Sequence, residues 1–87
     1  MSVVDIPEDV FESIRIPDRE KDKELKVELA VSLYSRGALS FGKARQLADV
    51  SHDRFQEILA DREIERHYTE EELEEDLQYG KELFLPY

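Results

Sequence analysis

With 87 residues, 12 of them basic and 22 acidic for a formal charge of −10, the chain makes one small domain near the size at which a single core only just suffices, so self-association is expected. It has no cysteine, which excludes a disulfide framework and a thiolate zinc site. No apolar run approaches bilayer length and the start MSVVDIPED lacks the pattern of a signal peptide, so a cytoplasmic protein with no membrane partner is expected.

The charge is unevenly spread. Residues 1–36 hold 6 basic and 9 acidic side chains, residues 37–68 hold 5 and 6, and residues 69–87 hold 1 and 7. A strong independent DNA binder normally presents a basic face, because phosphate neutralisation supplies most of the affinity. Here the middle is near neutral and the tail is strongly acidic. A salt-rich cytoplasm is another source of such acidity, since carboxylates keep a surface hydrated.

In chain order, Val3, Val4 and Ile6 form a short β-prone run that needs a partner strand, such as one from a second copy. Pro7-Glu8-Asp9 is a helix start, followed by an apolar stripe of Val10, Phe11 and Ile14 that Pro17 ends. From Pro17-Asp18 a second helix runs polar at first, then apolar from Leu25 to Tyr34. Its rows are Leu25, Leu29 and Leu33 beside Val27, Val31 and Tyr34, with Ala30 between. Gly37 is placed to close that helix, where positive φ is needed, with Arg36 suiting the dipole.

Residues 40–59, SFGKARQLADVSHDRFQEIL, carry a helix-turn-helix pattern. Ala44, Leu47 and Ala48 fall at helical spacing in the first half, and Phe55, Ile58 and Leu59 in the second; Ser40 and Ser51 are N-cap residues and Val50 fills the corner. The side chains available to DNA are Lys43, Arg45 and Gln46 on the first helix and Ser51, His52 and Arg54 at the start of the second. Arg54 suits guanine edges and Lys43 and Arg45 suit phosphate, while Asp53 and Glu57 oppose both. An ordinary solvated face is the competing account of the same residues.

After Leu59 the helical period fades, and Ile64, Arg66 and Tyr68 alternate in a segment that is either extended or loop. Thr69 with Glu72 reads as a capping box opening a helix from Glu70 to about Leu83. This divides the chain into a helical domain, 1–68, and an acidic helix with an apolar tail, 69–87. The helix has a thin apolar stripe. Leu73, Leu77, Tyr79, Leu83, Phe84, Leu85 and Tyr87 are the candidate partner-binding residues, with the carboxylates steering a basic protein toward them. A solvated acidic helix with a frayed end is the plainer alternative.

The stretches ELKVELAVSLYSRGALSFGKARQLADVSHDRFQEIL and RHYTEEELEEDL are similar to the prokaryotic uncharacterised protein family 0175, over roughly residues 5–77. The resemblance rests on an LxxELAxxLYxxGxxSxGKAxxLAxxS core and an HYTEEDLEEDL-like tail. It implies a helix-turn-helix domain, an antitoxin-like role and a PIN-domain ribonuclease toxin as partner, and it supplies no catalytic residue. Arg45 stands where a second Ala is common, and Asp49 where the turn often has Gly. Asp tolerates left-handed backbone better than most residues.

Catalysis is poorly supported. His52 and His67 are the only histidines and lack metal-ligand spacing, there is no phosphate-binding glycine loop, and Ser51, His52 and Asp53 are adjacent in sequence and suit a helix cap better than a triad. No cofactor or metal is expected. The expectation is therefore an all-α helix-turn-helix domain of about five helices, with a short N-terminal strand pairing in a homodimer. The expected role is a small regulatory binding protein; the rivals are a stand-alone DNA-binding transcription regulator and a dimeric adaptor that touches no nucleic acid.

Overall fold

The computed structural model describes residues 4–84, with side chains as far as Tyr79, and its helices are α1 (Glu8–Ser13), α2 (Asp18–Ser35), α3 (Phe41–Ala48), α4 (His52–Asp61) and α5 (Glu70–Phe84). The described residues are all-helical with no strand. Val4 to Ile6 are exposed and unpaired in this single chain, so the N-terminal strand is not formed here; a strand needs a neighbour to hold its backbone groups. Val3 lies outside the described residues.

The core is built by α2, α3 and α4. Val27, Ala30, Val31 and Tyr34 of α2 are buried against Phe41, Ala44 and Ala48 of α3 and Phe55, Ile58 and Leu59 of α4. Ala44 and Ala48 keep no exposed surface, which allows α2 and α3 to approach closely, and Val50 and Leu47 pack at the margin. Three rings lock the centre edge to face: Tyr34 to Phe41 at 6.0 Å, Tyr34 to Phe55 at 6.2 Å and Phe41 to Phe55 at 5.2 Å. Of the two apolar rows on α2, the valine row faces this core. The leucine row lies at its edge, with Leu29 exposed, because two short helices cannot cover so wide an arc.

α2, α3 and α4 end in the same way. Gly37, Asp49 and Glu63 each take left-handed backbone, with φ of 78°, 56° and 56°. The next amide reaches back to the carbonyl five residues earlier: Ala38 to Leu33 at 2.8 Å, Val50 to Arg45 at 3.4 Å and Ile64 to Leu59 at 2.9 Å. This closes the orphan carbonyls of each last turn and drives a sharp change of direction. Between them the starts are capped by hydroxyls, Ser40 accepting from the Lys43 amide at 3.3 Å and Ser51 from the Arg54 amide at 3.0 Å. The helix-turn-helix at 40–59 follows from these caps, and Phe55 and Ile58 are buried within it as expected.

α1 buries no side chain fully: Val10 is exposed and Phe11 and Ile14 are half-buried, so its stripe only rests on the domain. Lys21, in the polar start of α2, is buried instead. Its ammonium lies 4.9 Å from the Phe11 ring centre and 2.9 Å from Asp18, an aliphatic stem covered with its charge paired.

Candidate partner and nucleic-acid surfaces

Helical spacing sorts α5 into two faces, and the one carrying Glu72, Glu75 and Asp76 faces its own domain. Glu72, Glu75, Asp76 and Tyr79 follow at i, i+3, i+4 and i+7, with Glu72 toward α2 and the others toward α3 and α4. Leu73 and Leu77 point away, 49% and 66% exposed, between the exposed carboxylates of Glu70 and Glu74. Leu73 and Leu77 thus stay on the outer face, whereas Tyr79 of the expected partner set turns inward onto His52. The core is already closed by its aromatic rings, whereas hydrogen-bond donors remain at its edge.

Glu72, only 2% exposed, accepts a hydrogen bond from the Tyr34 hydroxyl at 3.1 Å and lies 3.5 Å from Arg66. Thr69 caps the Glu72 amide at 3.2 Å, but the Glu72 carboxylate goes inward, so only half of the capping box forms. The Tyr34 hydroxyl also accepts from the His67 amide at 2.6 Å, and the His67 ring stacks on Tyr34 at 4.5 Å. One phenol therefore ties α2, the segment before α5, and α5 itself. Burial pushes its pKa up and the Glu72 carboxylate adds to this, against the opposing His67 amide.

Arg66 completes the cluster. Its guanidinium lies 3.8 Å from the Phe41 ring centre and 3.2 Å from Asp76. Burial alone would lower its pKa, but Asp76 and the Tyr34 hydroxyl outweigh that and hold it above the ordinary value. Residues 64–69 are irregular, which resolves the alternation of Ile64, Arg66 and Tyr68 as loop. Beside this cluster, Glu75 reaches the start of α3, accepting from the Ser40 hydroxyl and the Gly42 amide, each at 2.9 Å. A Cβ on Gly42 would stand 2.6 Å from that carboxylate, so a side chain there would push the end of Glu75 aside. Tyr79 stacks on His52 with ring centres 4.2 Å apart, and the His52 ring lies 3.5 Å from both Asp53 and Asp76.

The six residues expected to meet DNA are not gathered on one free surface. Lys43, Arg45 and Gln46 line one cleft with His52, Glu75 and Tyr79, and Lys43 and Gln46 are exposed there. Arg54 is exposed too, but borders a different cleft with Lys23 and Arg62. Arg45 donates to the Val50 carbonyl at 3.2 Å, Ser51 is engaged as a cap, and His52 lies under Tyr79. Of the partner set, Leu73 and Leu77 are available and Tyr79 is turned inward; the side chains of Leu83, Phe84, Leu85 and Tyr87 lie outside those described. The residues not anticipated are Tyr34, Arg66, His67, Glu72 and Glu75. Their signal was present as acids at i, i+3 and i+4 following a loop arginine.

Residues 1–82 match the uncharacterised protein family UPF0175. The chain belongs to that family. A UPF0175 protein of Aeropyrum pernix is 44% identical over 81 residues, covering 93% of this chain and 86% of its own length. One from Archaeoglobus fulgidus is 35% identical over 66 residues, 76% of each chain. A third, from Halobacterium salinarum, is 49% identical over 43 residues, 49% of this chain and 44% of that one. No solved structure matches the chain. Among the described residues of this UPF0175 chain, no helix is long and apolar enough to cross a membrane.

Proposed function

We propose that the protein is a small regulatory binding protein, antitoxin-like, in which the outer face of α5 captures a basic protein partner and the helix-turn-helix contacts duplex DNA. The observation that carries this reading is the orientation of α5. It spends Glu72, Glu75 and Asp76 on its own fold and leaves Leu73 and Leu77, one turn apart, in solvent. Covering two leucines that are already partly shielded is worth about 2–4 kcal/mol, enough to anchor a partner's groove. Exposed Glu70, Glu71 and Glu74 beside them steer a basic surface into place. A PIN-domain ribonuclease has the chemistry that the family resemblance implies. The reading contains no catalytic step, in keeping with His52 and His67 each being stacked on a tyrosine ring. A homodimer belongs to the same proposal: Val4, Ile6, Leu25, Leu29 and Leu47 line an apolar groove bordered by Asp22, Lys26 and Glu28, whose mixed signs suit a self-complementary contact.

The test is co-expression with a candidate PIN-domain ribonuclease, followed by size-exclusion chromatography and an RNA-cleavage assay. The wild-type chain is expected to co-elute with the nuclease and silence it, and Leu73→Ser/Leu77→Ser to do neither. Full inhibition by the double variant would remove α5's outer face from the proposal, and no complex with the wild-type chain would remove the antitoxin role.

A further inference from the structure

We propose that α5 is a latch held in cis over a DNA-backbone surface formed by the start of α3 and the His52 edge of α4, so that the docked helix and duplex DNA exclude one another. This rests on the DNA half of the function proposed above. Glu75 is seated with both oxygens engaged, one by the Ser40 hydroxyl and one by the Gly42 amide, as a phosphate would be at a backbone contact. Gly42 leaves room for that carboxylate, since a Cβ there would make the end of the Glu75 side chain shift. Lys43 and Gln46, the exposed DNA candidates of α3, border the cleft that Glu75 and Tyr79 close.

The character of the docking contacts makes them releasable. Among the described side chains of α5 only Glu72 is buried, and the helix is held by carboxylates on Tyr34, Arg66, Ser40 and Gly42 and by the Tyr79 ring on His52. No aliphatic side chain among those described in α5 is committed to the core. Meanwhile residues 70–76 include six carboxylates, which repel a phosphate backbone for as long as the helix lies on that surface. Latch and partner face are separate, because Leu73 and Leu77 take no part in docking.

The experiment measures binding of a random-sequence DNA duplex at low salt by fluorescence anisotropy, using full-length chains. Glu75→Ala/Asp76→Ala opens the inner face; Glu71→Ala/Glu74→Ala removes the same charge from outside it. The latch predicts that the inner pair tightens binding about tenfold relative to the outer pair, because apparent affinity scales with the fraction of molecules whose surface is uncovered. Equal tightening by both pairs would reduce the effect to net charge and overturn the latch, with the DNA reading intact. No binding by any of the chains would overturn the DNA reading and the latch together. Should circular dichroism show the inner pair unfolded, Glu75→Ala against Glu71→Ala repeats the comparison with Arg66 still paired to Asp76, and the same outcomes decide.

Discussion

Removing one oxygen, by Tyr34→Phe, tests how α5 is joined to the helix-turn-helix. The ring stays and keeps its edge contacts with Phe41 and Phe55, so hydrophobic burial is nearly unchanged. What goes is the acceptor of the His67 amide at 2.6 Å and the donor to Glu72 at 3.1 Å. A buried polar group left unpartnered costs about 1–3 kcal/mol. Glu72 retains Arg66 at 3.5 Å, so the His67 amide bears most of the loss and the total comes to about 2–3 kcal/mol. An 87-residue domain has only roughly 4–13 kcal/mol of stability, and each kcal/mol moves its midpoint by about 4–8 °C, so Tm should fall by about 10–20 °C. Urea and thermal unfolding followed by far-UV circular dichroism give the value. A loss below about 0.5 kcal/mol, the level of an ordinary surface change, would refute the reasoning, because the hydroxyl would then have to be hydrated in the folded protein.

The same phenol makes stability depend on pH at the alkaline end. Its folded pKa is raised, so its contribution is complete below the ordinary tyrosine value of about 10 and lost as pH climbs through the raised value; unfolding midpoints against pH should fall there, and less steeply for Tyr34→Phe. Glu63→Gly should raise stability by about 1 kcal/mol in urea titrations, because Glu63 carries a side chain at φ 56°, while Asp49→Gly, at a residue that tolerates this backbone better, should gain less. Leu73→Ser/Leu77→Ser should leave the unfolding midpoint within about 0.5 kcal/mol of wild type, since both side chains already face solvent; a larger drop would place them in the core.

The helix-turn-helix was legible because its signals are local. Ser40 and Ser51 as caps, the apolar spacing through Ile58 and Leu59, and the breaks at Gly37 and Asp49 each act within one or two turns of chain. Glu63 was not legible as a helix stop, since glutamate rarely takes left-handed backbone; the pull comes from Ile64 closing back onto Leu59 and into the core. Phe41 was passed over because it directly follows the cap, yet its ring is the floor on which Arg66 rests. The chief departure is α5. Its leucines read as a partner-facing stripe, but their spacing does not say which acids turn inward; Glu72, Glu75 and Asp76 do, meeting Tyr34, Arg66 and the start of α3. Such long-range polar matching links residues 33 to 38 positions apart, and no single-helix pattern reports it.

Amide hydrogen exchange at Gly42 measures that docking directly. In the first turn of α3 this N–H has no carbonyl of its own helix to bond, and Glu75 is its acceptor. The account predicts a Gly42 amide protected in the wild-type chain that exchanges at the rate of an open helix end in Glu75→Ala, with the amides of α2 unaffected. Fast exchange at Gly42 in both chains would show that the acidic face of α5 does not rest on the helix-turn-helix.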